Sequence, residues 1–124
     1  MSRFAAPIAE QIWDMKYRLK QADGMPLDQS VEDTWRRIAR ALASVEHDTA
    51  EWEDRFYTAL EDFKYLPAGR IVAGAGTARS VTLFNCFVMG TVPDSMGGIF
   101  DNLREAALTM QQGGGIGYDF STIR

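Results

Sequence analysis

The sequence is poor in the residues that form crosslinks and metal sites. Its 124 residues include one cysteine and one histidine. One cysteine cannot form a disulfide within the chain, so a reducing, cytoplasmic setting is expected. A lone cysteine and a lone histidine also argue against a zinc site built by this chain alone, and no metal-binding residue is predicted.

Long apolar runs and an excess of positive charge are lacking as well. No apolar run approaches the roughly 20 residues that span a bilayer, and the N-terminal stretch MSRFAAPIAEQIWDMK lacks the apolar core of a secretory signal. The chain has 13 basic and 17 acidic residues, a net charge of −4. We therefore expect neither a membrane nor a nucleic-acid partner. The hydrophobic fraction of 46% is enough for a modest core.

Residues 1–66 carry the periodicity of amphipathic helices and predict a helical N-terminal domain, a three-helix bundle. Charged residues between the apolar stripes are expected at the surface. The three stripes are Ile8, Ile12, Met15 and Leu19; Val31, Trp35, Ile38, Leu42 and Val45; and Trp52, Phe56, Leu60 and Phe63.

Turn and capping residues predict where these helices begin and end. Gly24 and Pro26 are expected to end the first helix. Ser30 and Asp33 resemble a capping box at the start of the second. Asp48 or Thr49 can cap the third helix.

The pattern changes at Pro67, and residues 67–124 are predicted to form the start of an α/β domain. LPAGRIVAGAGTARS predicts a loop with one short strand at Arg70–Ala73, and VTLFNCFVMG predicts a buried strand. A helix follows, ended by Gly113, and IGYDFSTIR can begin a second strand. Strand, helix and strand in this order indicate one unit of a larger α/β sheet or barrel. The stripe of the helix is Met96, Ile99, Phe100, Leu103, Ala107 and Met110.

The glycine run after this helix has two interpretations. Gly113, Gly114, Gly115 and Gly117 could let a ligand approach backbone N–H groups. They could equally form a helix C-cap and a turn. A Rossmann or Walker fingerprint follows a strand and opens a helix, so neither is present.

Two further motifs also have two interpretations each, one structural and one functional. Asp94 and Ser95 in VPDSM form a usual helix-capping pair, or they begin a site where a sugar hydroxyl or an anion binds. Cys86 is either a small buried apolar residue or a reactive thiol. As a redox group it would need a second sulfur, which these 124 residues do not contain.

The order of the motifs is more specific than any one of them. LPAGRIVAGAGT followed by LFNCFVMGTVPDSMGGIFDNLREAALTMQQGGGIGYDFSTIR resembles the catalytic (large) subunit of ribonucleotide reductases, most closely the adenosylcobalamin-dependent class II enzymes. The resemblance covers residues 66–124 closely, and residues 1–65 fit the helical segment before the barrel. It implies an α+β chain, in which a helical bundle precedes the first strand-helix-strand unit of a ten-stranded α/β barrel.

The resemblance also implies site residues. Cys86 matches the strand cysteine that reduces the ribose 2′ position and is left in a disulfide with a cysteine far downstream. Asp94 and Ser95 match the start of the helix where a dNTP or ATP effector binds, and that helix packs against a second subunit in a homodimer. The implied substrate contacts are Ala68, Gly69, Asn85, Gly114 and Gly115.

In such enzymes the radical cysteine and most residues that hold adenosylcobalamin lie downstream of this region. The resemblance therefore implies the N-terminal segment of a longer reductase, inactive when isolated, which uses a ribonucleotide substrate and a thioredoxin-type reductant. A class I enzyme, whose radical comes from a second subunit, stays open. So does a stand-alone, non-catalytic nucleotide-binding or regulatory module.

Overall fold

A computed structural model describes residues 3–124. Two compact units divide between Ala78 and Arg79, and the predicted domain division at residues 66 and 67 remains a prediction. The first unit contains α1, α2, α3, a short 3-10 turn and α4. The second contains β1, α5 and β2. Their bounds are α1 Pro7–Lys16, α2 Val31–Ala43, α3 Thr49–Leu60, the turn Glu61–Phe63, α4 Gly69–Gly74, β1 Cys86–Thr91, α5 Met96–Gln111 and β2 Gly115–Asp119.

The first helix differs from its prediction in length and in the face that it buries. It ends at Lys16 rather than at Gly24, because the Trp13 carbonyl accepts from the N–H groups of both Tyr17 and Arg18, each at 2.9 Å. Ile8 and Met15 are exposed, so the predicted stripe is wrong, and Trp13 is the residue that α1 buries. The Trp13 indole N–H donates to Thr34 Oγ1 at 3.0 Å, which ties α1 to α2.

The second and third helices agree more closely with their predictions from the sequence. The capping box at Ser30 is confirmed, with the Ser30 N–H donating to Asp33 Oδ2 at 3.0 Å. Asp48 caps α3 by accepting from the Glu51 N–H at 3.0 Å. The core of the unit is built on Trp13, Val31, Trp35, Ile38, Ala39, Leu60 and Ala75. Val45, predicted to join the stripe of α2, lies beyond that helix and is exposed.

Residues 69–74 form a helix, which corrects the strand predicted at Arg70–Ala73. The N–H groups of Ile71 and Val72 both donate to the Ala68 carbonyl, at 2.9 and 3.2 Å, and close the first turn. A run of Ile, Val and Ala is compatible with a helix or with a strand. Here the backbone hydrogen bonds are made within the segment, which is therefore helical.

The second unit confirms the predicted strand-helix-strand order. β1 and β2 pair in parallel, with Cys86 opposite Gly115, and α5 connects them. The first strand begins at Cys86 and not at Val81. The Phe84 N–H donates to Thr82 Oγ1 at 3.1 Å, a local turn bond that lies outside the ladder.

α5 begins and ends as predicted, but its apolar stripe lies largely at the surface. Ser95 Oγ accepts from the Gly98 N–H at 3.1 Å, and Gly113 after the helix has a φ of +89°. The residue that α5 buries is Ala106. The large residues of the stripe are exposed, namely Met96, Phe100, Leu103 and Met110. No helix within residues 3–124 has the length and apolar character needed to cross a membrane.

Candidate active site

A thiol and a glycine turn meet at the start of the parallel strand pair. The Gly115 N–H donates to the Asn85 carbonyl at 2.8 Å. A Cβ added at Gly115 would lie 3.4 Å from Asn85 O and 3.4 Å from Cys86 Sγ. The structure therefore brings four predicted site residues together: Asn85, Cys86, Gly114 and Gly115.

The glycine turn is tightly packed at Gly114, and the N–H groups of Gly114 and Gly115 are hydrogen-bonded within the chain. A Cβ at Gly114 would lie 2.8 Å from Phe87 Cε2 and 2.9 Å from Thr109 Cγ2, so no side chain fits there. The Gly114 N–H donates to the Thr109 carbonyl at 3.0 Å. The N–H groups of Gly114 and Gly115 thus have partners within the chain.

Cys86 is exposed and not in a disulfide. Its interpretation as a buried apolar residue is therefore wrong for this chain. Phe84 and Phe87 flank it in sequence, and their ring centroids lie 6.1 Å apart in an edge-to-face pair. An exposed thiol is open to a second sulfur, which thiol–disulfide exchange requires.

Asp94 and Ser95 lie at the N-terminus of α5, as the sequence predicted. The Ser95 hydroxyl is used as a cap, and Asp94 Oδ2 lies 3.5 Å from Arg124 Nε. Gly98 is required by the tight turn, because a Cβ there would lie 2.6 Å from Pro93 Cβ. The capping interpretation is confirmed for Ser95, whereas Asp94 pairs with Arg124. A ligand at this terminus would bind beside that ion pair.

Ala68 and Gly69 belong to the other compact unit, at the start of α4. A Cβ at Gly69 would lie 3.2 Å from the Tyr17 hydroxyl oxygen, so this backbone packs closely on the residue that follows α1. Their predicted role as substrate contacts remains a prediction.

Asp119, which no sequence motif singled out, joins the carboxyl ends of both strands. Its carboxylate accepts from the Ser121 N–H at 2.9 Å and from Thr91 Oγ1 at 3.1 Å. These hydrogen bonds, led by that from the Ser121 N–H, lower the pKa of Asp119. The signal in the sequence was an Asp two residues before a Ser at a strand end, which is typical of an Asx turn.

Two domains of a known family match this chain, and together they cover nearly all of it. A helical unit precedes a parallel strand-helix-strand unit whose first strand begins with a thiol, the order expected at the front of a thiol-bearing α/β barrel. Residues 3–80 match the family described as ribonucleotide reductase, all-alpha domain, and residues 84–124 match ribonucleotide reductase, barrel domain. The chain belongs to the ribonucleotide reductase large-chain family.

Similar proteins carry the same family name. The chain is 36% identical over 109 residues to a ribonucleoside-diphosphate reductase subunit alpha of Helicobacter pylori, covering 88% of this chain and 14% of that protein. It is 33% identical over 114 residues to a vitamin B12-dependent ribonucleoside-diphosphate reductase of Mycobacterium tuberculosis, covering 88% and 16%. A vitamin B12-dependent relative from Thermoplasma acidophilum is 26% identical, covering 96% and 15%. The chain thus spans about a seventh of the length of these relatives.

Proposed function

We propose that this chain serves the reduction of ribonucleotides to deoxyribonucleotides by radical chemistry, with Cys86 as one of two reducing thiols. The observation that carries the proposal is the exposed Cys86 at the first residue of β1, against Gly115, in a chain of the reductase family. An exposed thiol at a strand start is positioned by the ladder and remains open to a substrate and to a second sulfur.

The electron balance of the reaction defines what Cys86 can contribute. Replacing the ribose 2′ hydroxyl by hydrogen, with loss of water, consumes two electrons and two protons. Two thiols supply both when they join as a disulfide. The sequence holds one cysteine, so the second sulfur must come from outside these 124 residues. A thioredoxin-type dithiol then returns both sulfurs to thiols by exchange.

Substrate and effector contacts are proposed at the positions already described. Gly115 lies beside the Cys86 thiol, with Asn85 and Gly114 next to them in the chain. The proposed ribonucleotide lies against the backbone of these three residues. Ala68 and Gly69, at the start of α4, are proposed as further substrate contacts. A dNTP or ATP effector is proposed at Asp94 and Ser95, where a helix N-terminus favours anionic groups.

The radical source is proposed to be adenosylcobalamin, as in the relatives named vitamin B12-dependent. The described residues do not themselves fit a corrinoid or metal site. His47 is exposed in the turn before α3, and residues 3–124 contain no cluster of three or more His, Cys, Asp or Glu that could hold a metal. The chemical roles proposed for residues 3–124 are those of the thiol and of the substrate and effector contacts.

A homodimer is proposed through α5. Its exposed apolar residues include Phe100 and Leu103. A second copy of the same helix would cover this face with apolar side chains.

The test is deoxyribonucleotide formation by the native gene product with a dithiol reductant, with and without adenosylcobalamin. Turnover that depends on the cofactor supports the class II assignment, and turnover without it points to class I. The absence of deoxyribonucleotide under both conditions, with every ribonucleotide supplied, would overturn the proposed function.

The second candidate is a non-catalytic nucleotide-binding or regulatory module. It is favoured by the well-formed N-terminus of α5, where the Ser95 side chain accepts from the Gly98 N–H. A dNTP that binds the folded chain raises its melting temperature by mass action. Stabilisation by a dNTP in a native product that does not reduce ribonucleotides would support this candidate instead.

A further inference from the structure

Arg37 and Asp28 form a buried ion pair in the first unit, where the sequence predicted only surface charge. Their side chains are 8% and 6% exposed, and Arg37 Nη2 lies 3.0 Å from Asp28 Oδ2. Burial of two charges is unfavourable unless further hydrogen bonds satisfy the remaining donors and acceptors. The remaining partners therefore indicate what the pair holds in place.

The other donors of the Arg37 guanidinium reach the end of α4. Arg37 Nη2 donates to the Val72 carbonyl at 3.1 Å, and Nη1 donates to the Ala75 carbonyl at 2.5 Å. The last carbonyls of a helix lack partners within that helix. Arg37 supplies those partners from α2, and it also reaches the Tyr17 carbonyl at 3.3 Å.

The chain leaving α4 is in contact with the same side chain. Gly76 has a φ of +71°, and a Cβ there would lie 2.8 Å from Arg37 Cγ and 2.9 Å from Arg37 O. Both the conformation and the space require glycine. The hydrogen bonds and this close approach are separate observations, and both fix the C-terminal end of α4 on Arg37.

The carboxylate of Asp28 fixes the guanidinium in turn. It accepts from Thr34 Oγ1 at 2.7 Å and from the Leu19 N–H at 3.2 Å. Because both bonds hold Oδ2, and Arg37 Nε reaches Oδ1 at 3.3 Å, Asp28 gives the planar guanidinium of Arg37 one orientation.

A helix of six residues has little stability of its own. The placement of α4 therefore depends on what holds its ends. We propose that Arg37 is a positioning residue for ribonucleotide binding: by holding the C-terminal end of α4, it fixes the backbone of Ala68 and Gly69 at the other end. This inference rests on the proposed function, in which Ala68 and Gly69 contact the substrate.

The test compares Arg37→Lys with Arg36→Lys in the native gene product. A lysine at 37 keeps the charge, but its single ammonium cannot reach Asp28 and both carbonyls together. Arg36 is the matched control on the same helix. Its guanidinium lies 3.8 Å from the Tyr57 ring centroid and pairs with the exposed Asp54, away from α4.

Two readouts separate positioning from general stability. In Arg37→Lys, hydrogen exchange of the Val72 and Ala75 amides is expected to accelerate about tenfold or more, while Ile38 is unchanged. The KM for the ribonucleotide is expected to rise about threefold to tenfold, with kcat within about twofold. Arg36→Lys should change neither. Gly76→Ala is a second variant that disturbs the same contact from the other side and should reproduce both changes.

Unchanged exchange at Val72 and Ala75 in Arg37→Lys would overturn the inference. So would faster exchange with an unchanged KM, or a Gly76→Ala variant that lacks the local change. A wild-type product that forms no deoxyribonucleotide overturns the proposed function itself. Normal wild-type turnover with an unaltered KM in Arg37→Lys overturns this inference alone.

Discussion

The Cα of Gly114 packs against the ring of Phe87, at a distance that leaves no room for a side chain. A Cβ at this position would lie 2.8 Å from Phe87 Cε2. The glycine turn after α5 and the strand that begins with Cys86 are thus fitted to each other. This contact, together with the Gly115–Asn85 hydrogen bond, places the turn beside the thiol.

Gly114→Ala is expected to destabilise the second unit. The added methyl group must displace the Phe87 ring and Thr109, and overpacking of this kind costs about 1–3 kcal/mol. The measurement is the hydrogen-exchange protection of the Gly115 amide, which donates to Asn85. Gly117→Ala is the control, because a Cβ at Gly117 meets nothing within 4 Å. Equal protection in the two variants would contradict the packing argument.

Asp28→Ala is expected to destabilise the first unit strongly. It leaves the Arg37 guanidinium buried without its counter-ion, and breaking such a pair costs about 3–5 kcal/mol. The free energy of unfolding can be followed by tryptophan fluorescence, since Trp13, Trp35 and Trp52 all lie in this unit.

Asp54→Ala is the matched control for that substitution. Asp54 pairs with Arg36 at 3.2 Å, but its side chain is 82% exposed. An exposed pair is worth about 0–1 kcal/mol. A loss in Asp28→Ala no larger than that in Asp54→Ala would show that the buried pair does not stabilise the unit.

The contribution of Asp119 to stability is expected to depend on pH. Its folded-state pKa lies below the ordinary value of 3.8, chiefly because the Ser121 N–H donates to the carboxylate. A lowered pKa gives stabilisation that is complete above the unfolded pKa and is lost as the pH falls through the folded one. The difference in unfolding free energy between wild type and Asp119→Asn should therefore be constant near neutral pH and shrink below about pH 4. A difference that grows on acidification would contradict this sign.

Local signals in the sequence predicted the elements whose ends depend on neighbouring residues. The capping box at Ser30, the cap at Asp48 and the cap at Ser95 are made within a few residues. The parallel strand pair followed from the order of strand-like and helix-like segments. A resemblance in motif order predicted the family, which the helical and barrel matches confirm.

Features that depend on distant residues could not be predicted in this way. The end of α4 is bonded to Arg37, which is far away in sequence. The local residues of α4 do not reveal that contact, and they favoured a strand. The burial of Arg37 with Asp28 has no periodic signal, because both residues would look solvated in a helical pattern. Trp13 was missed because its indole N–H is satisfied by Thr34, which a stripe of apolar residues does not reveal.

The most direct test of the central claim is the yield of deoxyribonucleotide from the native gene product with Cys86→Ser. Serine keeps the size of the side chain but cannot give up an electron pair to form a disulfide. Turnover should be abolished, while the Kd for the ribonucleotide should stay within about twofold, because binding and chemistry use different groups. Turnover in Cys86→Ser at the wild-type rate, with a dithiol reductant present, would contradict the assignment of Cys86 as a reducing thiol.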